Sequence, residues 1–127
     1  MKVLVVDPIA DDGIDVLRSY AQVDVKTGLK LEEIISIIGN YDALVVRSQT
    51  QVSAEVIQAG EKLQVIARAG VGVDNIDVEE ATRRGVLVVN APNANTISAA
   101  EHAIAMMLTS ARNISQANVV LKSGVWR

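Results

Sequence analysis

Val65-Ile66-Ala67-Arg68-Ala69-Gly70-Val71-Gly72-Val73-Asp74-Asn75 reads as a strand that ends on a cation and breaks into a glycine-bearing turn. Asp77-Val78-Glu79-Glu80 follows, an aspartate ahead of acidic residues, the pattern that starts a helix. A buried strand therefore delivers a fixed positive charge and unencumbered backbone N–H groups to one loop, the chemistry of a small-anion site. Outward from this stretch the same alternation repeats. Short apolar runs predict strands at Lys2–Asp7, Gln22–Lys26, Ala43–Arg47, Leu63–Arg68 and Val86–Asn90. Helix-periodic segments fall between them at Asp12–Ser19, Leu31–Ile38, Ala54–Ala59 and Val78–Arg84, and another begins near Ile97.

Several of these strands are unbroken Val/Leu/Ile runs, as required when both faces of a sheet are covered. Alternating strands and helices with right-handed crossovers predict an α/β fold, a flavodoxin-like doubly wound parallel sheet in the order 2-1-3-4-5. Ser53 is placed to cap one helix, Asp77 with Glu80 and Ser98 with Glu101 match capping boxes, and Gly39 and Gly85 stand where helices should stop.

The segment Ile97–Lys122 has no proline or glycine, and apolar residues recur along it at Ala100, Ala103, Ile104, Met107, Leu108, Ala111, Ile114 and Leu121. An unbroken helix there would be about 39 Å long, more than a sheet of short strands covers. Residues 1–96 are thus expected to form one domain, and 97–127 a connecting helix that leads toward another. Its apolar stripe calls for a partner domain or a second subunit, contacted through Ile97–Arg127.

The composition removes several classes of function. In 127 residues, half of them hydrophobic, a net charge of −3 provides no electrostatic footprint for nucleic acid. Tyr20, Tyr41 and Trp126 are the only aromatic residues, too few for a base-stacking platform. There is no cysteine, and no apolar run reaches a membrane span or a signal peptide. A cytoplasmic protein is expected.

Ligands of a doubly wound sheet bind beyond the carboxyl ends of its strands. Three neighbouring loops there are polar: Arg47–Thr50, Arg68–Asn75 and Asn90–Thr96. Arg47 and Arg68 supply planar donors for carboxylate or phosphate, Ser48 a hydroxyl, and Asn95 an amide. Gly70, Val71 and Gly72 supply backbone that a ligand can approach. Plainer roles compete: a strand-end arginine is often salt-bridged, and Asn95 suits a helix cap equally well. The Gly70–Gly72 pair does not complete a dinucleotide fingerprint, because the third position is Asn75. His102, the only histidine, adjoins Glu101, but neighbouring residues on a helix point in different directions. No catalytic residue and no metal cluster is assigned. A phosphoacceptor receiver domain is excluded, since Val46-Arg47-Ser48 and Asn90-Ala91-Pro92 stand where its aspartate and lysine would be.

Four ordered motifs, Val45-Val46-Arg47-Ser48, Ala67–Asn75, Gly85–Pro92 and Asn95–His102, resemble the NAD-dependent D-2-hydroxyacid dehydrogenases. The closest likeness is to the branch that oxidises 3-phosphoglycerate to 3-phosphohydroxypyruvate in serine biosynthesis. The resemblance covers essentially the whole chain. It implies a substrate-binding domain in which Arg47, Ser48, Arg68 and Asn95 approach a phosphorylated or carboxylate metabolite. The Val71 and Gly72 backbone would hold its carboxylate, and Val71 would also lie near the nicotinamide of NAD. It further implies a homodimer contact beyond Ile97, with Gly124-Val125-Trp126-Arg127 leading into a nucleotide-binding domain absent from this sequence. The nucleotide loop and the hydride-transfer residues would lie there too, so a chain inactive alone is expected. The competing expectation is a non-catalytic anion-binding or oligomerisation module.

Overall fold

The computed structural model describes residues 1–126. They divide into two compact units, Met1–Ala94 and Asn95–Arg127. The first contains five strands, β1 (Lys2–Val5), β2 (Gln22–Val25), β3 (Ala43–Val46), β4 (Val65–Arg68) and β5 (Leu87–Asn90). Four helices alternate with them: α1 (Asp11–Arg18), α2 (Leu31–Ile38), α3 (Ala54–Ala59) and α4 (Val78–Arg83). All ladders are parallel and the order is β2-β1-β3-β4-β5, as the alternation of the sequence predicts.

The unbroken apolar runs have their explanation in the core. Every residue of β3, the central strand, is buried. Leu4, Leu44, Val46 and Ile66 face one side, where they pack with Ile34 and Ile38 of α2 and Val56 and Ile57 of α3. Val3, Val5, Ala43 and Val45 face the other, with Leu17 of α1 against them. The pleat thus sorts one strand into two clusters by parity. The edge strand β5 is largely exposed.

Helix ends show where local signals succeed. Gly85 has φ 71°, and the N–H groups of Gly85 and Val86 return to the carbonyls of Thr82 and Ala81 at 3.0 and 2.8 Å. That is a Schellman stop, for which a residue without Cβ is favoured. Asp77 caps α4 by accepting from Glu80 N–H at 2.9 Å. The reciprocal half of that box is missing, because the buried Glu80 carboxylate meets Gln58 at 3.1 Å and Arg83 instead. Ser53 occupies the cap position of α3, but its hydroxyl makes no capping bond and is buried without a partner among the described residues.

On the edge strand β2, Asp24 accepts the Tyr41 hydroxyl at 2.8 Å and pairs with Lys2 Nζ at 3.1 Å. The Tyr41 bond, then Lys2, hold the Asp24 carboxyl below the usual range, while burial and that same bond push the Tyr41 phenol up to about 12.

The second unit holds α5 (Thr96–Ala111) and α6 (Ile114–Lys122). The long C-terminal helix is therefore α5, of 16 residues, and it does not run unbroken to Lys122. Asn113 takes a left-handed conformation, φ 50° and ψ 36°, which interrupts the ladder. Asparagine is among the few residues that tolerate this, so the absence of proline and glycine misleads. Ser98 lies inside α5 and donates to Asn95 O at 3.0 Å, so the expected Ser98–Glu101 capping box does not form. No residue of either helix is buried. Arg127, part of the expected partner contact, lies outside the described residues.

Candidate functional site

β3 and β4 run side by side with Val46 opposite Arg68, so Arg47 and Arg68 leave the sheet at the same carboxyl-terminal rim. The geometry is most developed around Arg68. Its guanidinium lies over the glycine turn: Nη1 is 2.7 Å from where a Gly70 Cβ would stand and 3.7 Å from the same point on Gly72. Gly70 has no positive φ, so its missing Cβ serves the close approach of Arg68, whereas that of Gly72 leaves room for the Asp74 carboxylate. The turn is anchored toward β5 by its carbonyls. Gly70 O accepts from Ala91 N–H at 3.0 Å, and Val71 O from Asn90 Nδ2 at 2.6 Å. The N–H groups of Val71 and Gly72 make no intramolecular hydrogen bond among the described residues. One guanidinium and two free amides therefore share one turn, a cradle for a carboxylate or phosphate oxygen. An opposing charge sits at its edge, since Asp74 Oδ1 is 2.8 Å from the Gly72 Cβ position.

Arg47 and Ser48 are exposed on the loop after β3. The structure brings Arg47 to the rim but not to Arg68. Strand parity sends Arg68 to the face of Val46 and Arg47 to the face of Val45. Arg47 Nη1 reaches Pro8 O at 3.4 Å, whereas Arg68 Nε donates to Asn75 Oδ1 at 3.0 Å. The expected meeting of the two guanidinium groups is accordingly a shared rim with one cation on each side. Asn95 belongs to the second unit, where it precedes α5. Its carbonyl accepts Ala99 N–H at 2.8 Å, and its side chain makes no capping bond. His102 and Glu101 are exposed on α5.

Sequence reasoning passed over the residues that hold this rim in place. Asp7 and Asn75 are 2% and 3% exposed, and both bond to the loop that carries Arg47. A cleft of about 410 Å³ also went unforeseen. Asp7, Gly28, Leu29, Ile34, Gln49 and Gln51 line it, at the carboxyl ends of β1, β2 and β3. The strand order reverses there, the usual crevice of a doubly wound sheet. The signal for it was the order 2-1-3-4-5 itself. Among the described residues no cluster of three His, Asp or Glu side chains is placed to hold a metal ion, and no helix is long and apolar enough to cross a membrane.

Asn75 stands where a dinucleotide fingerprint has its third glycine, and its side chain is engaged with Arg68, Arg47 and Thr50. The Val71 side chain beside it is exposed.

Residues 3–123 match the model of the D-isomer specific 2-hydroxyacid dehydrogenase family, catalytic domain. D-3-phosphoglycerate dehydrogenase of Archaeoglobus fulgidus is 58% identical in a match 127 positions long that covers 99% of this chain and 24% of that protein. That of Synechocystis is 58% identical over 125 residues, 98% of this chain and 23% of its own length. The chain thus spans about a quarter of the length of these relatives. Among solved structures, NAD+-bound 3-phosphoglycerate dehydrogenase of Entamoeba histolytica superposes with a TM-score of 0.75 at 34% identity, covering 86% of this chain and 38% of that one.

Proposed function

The chain belongs to the D-isomer specific 2-hydroxyacid dehydrogenase family, and on that premise we propose that it supplies the acid-binding part of a D-3-phosphoglycerate dehydrogenase-like oxidoreductase of serine biosynthesis. The observation that carries this reading is the Arg68 guanidinium lying over Gly70 and Gly72 beside two unengaged N–H groups. There the carboxylate of 3-phosphoglycerate is held by charge-assisted bonds. Arg47 and Ser48, across the rim, take its phosphate. The high identity to phosphoglycerate dehydrogenases favours this acid over other 2-hydroxyacids.

NAD is the cofactor at the level of the family, represented by the NAD+-bound relative. Val71, on the glycine turn, is the residue of this chain proposed to lie near its nicotinamide. For the 127-residue chain taken by itself, the reading is acid binding without turnover. Titration with 3-phosphoglycerate tests the reading. Arg68→Ala and Arg47→Ala are each expected to weaken binding by about tenfold or more, the usual loss for a hydrogen bond to a charged group. Wild-type affinity in both variants would remove the site, and NADH formation by the chain alone would refute the absence of turnover.

A second reading, an oligomerisation module, draws on α5 and α6. They expose Ile97, Met107, Leu108, Val119 and Leu121 and bury nothing. A second subunit or a partner domain covers these side chains. Self-association without affinity for any small acid would favour this reading over the first.

A further inference from the structure

The loop after β3 leaves the sheet with four main-chain groups, the N–H and C=O of Arg47 and of Thr50, to be satisfied in half-buried surroundings. Two buried side chains take all four. One Asp7 oxygen accepts Arg47 N–H at 2.6 Å and Thr50 N–H at 3.2 Å, and the other accepts the Thr50 hydroxyl at 2.6 Å. The Asn75 amide nitrogen donates to Arg47 O at 2.7 Å and Thr50 O at 2.6 Å. Its oxygen remains, and that oxygen accepts Arg68 Nε at 3.0 Å.

From this network we infer that Asn75 is a positioning residue. Its single amide fixes the backbone that carries Arg47 and Ser48 relative to the side chain of Arg68, so that both loops present one geometry to the acid. The inference rests on the acid-binding reading above and extends it to a residue that touches no ligand. The amide can face only one way. Two carbonyls need donors on one side, and a guanidinium N–H needs an acceptor on the other. A carboxylate of the same size keeps the bond to Arg68 but sets an oxygen against both carbonyls. A small apolar residue loses all three contacts. Residues that support a site's own contacts in this manner decide how well those contacts are aimed.

The test is nuclear magnetic resonance of the 127-residue chain, as wild type, Asn75→Asp, Asn75→Ala and Thr50→Val, without ligand and then with 3-phosphoglycerate. Without ligand, the Arg68 Nε–H is expected to exchange slowly in the wild type. Asn75→Asp should speed amide exchange at Arg47 and Thr50 about tenfold while the Arg68 signal stays protected, whereas Asn75→Ala loses both. Thr50→Val removes a bond to Asp7 and leaves the Arg68 signal intact, which separates coupling from a general loss of stability. Should Asn75→Ala fail to fold, Asn75→Asp and Thr50→Val still decide the matter. Unchanged exchange at Arg47 and Thr50 in a folded Asn75 variant overturns the inference. With ligand, Asn75→Asp is expected to bind about tenfold more weakly with its fold retained by circular dichroism. Equal affinity overturns the coupling and leaves the acid-binding reading standing. If 3-phosphoglycerate perturbs no residue of the wild type, the acid-binding reading falls, and with it the role given to Asn75, even where the exchange results confirm the network.

Discussion

Gly70 lacks a Cβ, and the volume that one would fill belongs to the Arg68 guanidinium. Because its backbone is not left-handed, alanine meets no backbone strain there, and the overlap is relieved by moving the flexible end of the Arg68 side chain. Gly70→Ala is therefore expected to leave stability unchanged or to raise it by up to about 1 kcal/mol, through a less flexible unfolded chain. It should also displace the guanidinium and weaken anion binding, which thermal unfolding and calorimetric titration with 3-phosphoglycerate would measure separately. Gly85 should behave in the opposite manner. At φ 71° an alanine pays the left-handed penalty, and Gly85→Ala should lower stability by about 1 kcal/mol without touching the site. Both glycines were legible in the sequence, one between a strand and a helix start, the other between a helix and an apolar run. Asn75 and Asp7 were not. A polar residue after a glycine turn reads as turn chemistry, and nothing in a one-dimensional pattern says that the chain will fold over it and bury it.

Elements were legible in proportion to how local their causes are. The strands followed from runs of branched apolar residues, and the α4 stop from a glycine. The join between α5 and α6 was hidden, because it depends on one asparagine adopting a conformation open to it but not demanded by its neighbours. Asp24 illustrates a non-local cause. A lone acid in an edge strand reads as a solvated face, yet it ties β2 to Lys2 and Tyr41. The sign of its effect follows from the shifts. A carboxyl held low in the folded state contributes stability above its unfolded pKa, and loses it as the pH falls through the folded value. A phenol raised to about 12 contributes stability below its unfolded pKa near 10, lost as the pH climbs between the two. Denaturant midpoints of Asp24→Asn across pH should thus fall less steeply than the wild type on the acid side, and less steeply on the alkaline side too. Parallel curves for the two proteins would show that the cluster contributes nothing.

For the molecule as a whole, the first unit closes a core on both faces of its sheet, while the helices of the second leave large apolar side chains in water. If these side chains meet a second copy, sedimentation should show a concentration-dependent larger species, and Leu108→Glu should return it to the monomer with no loss of helical signal. The doubly wound order and the rim on which ligands gather were both legible, since they follow from alternation and chain handedness. How the two cations face was legible only by counting residues along strands whose ends the sequence leaves vague. If the two cations grip one acid as proposed, then with neighbouring strands about 4.8 Å apart the rim gauges length as well as charge. An acid ionised at one end would then occupy a single berth, and only a molecule ionised at both ends would bridge the two. D-glycerate should accordingly bind more weakly than its phosphorylated counterpart in the wild type, and Arg47→Ala should bring the two affinities close together.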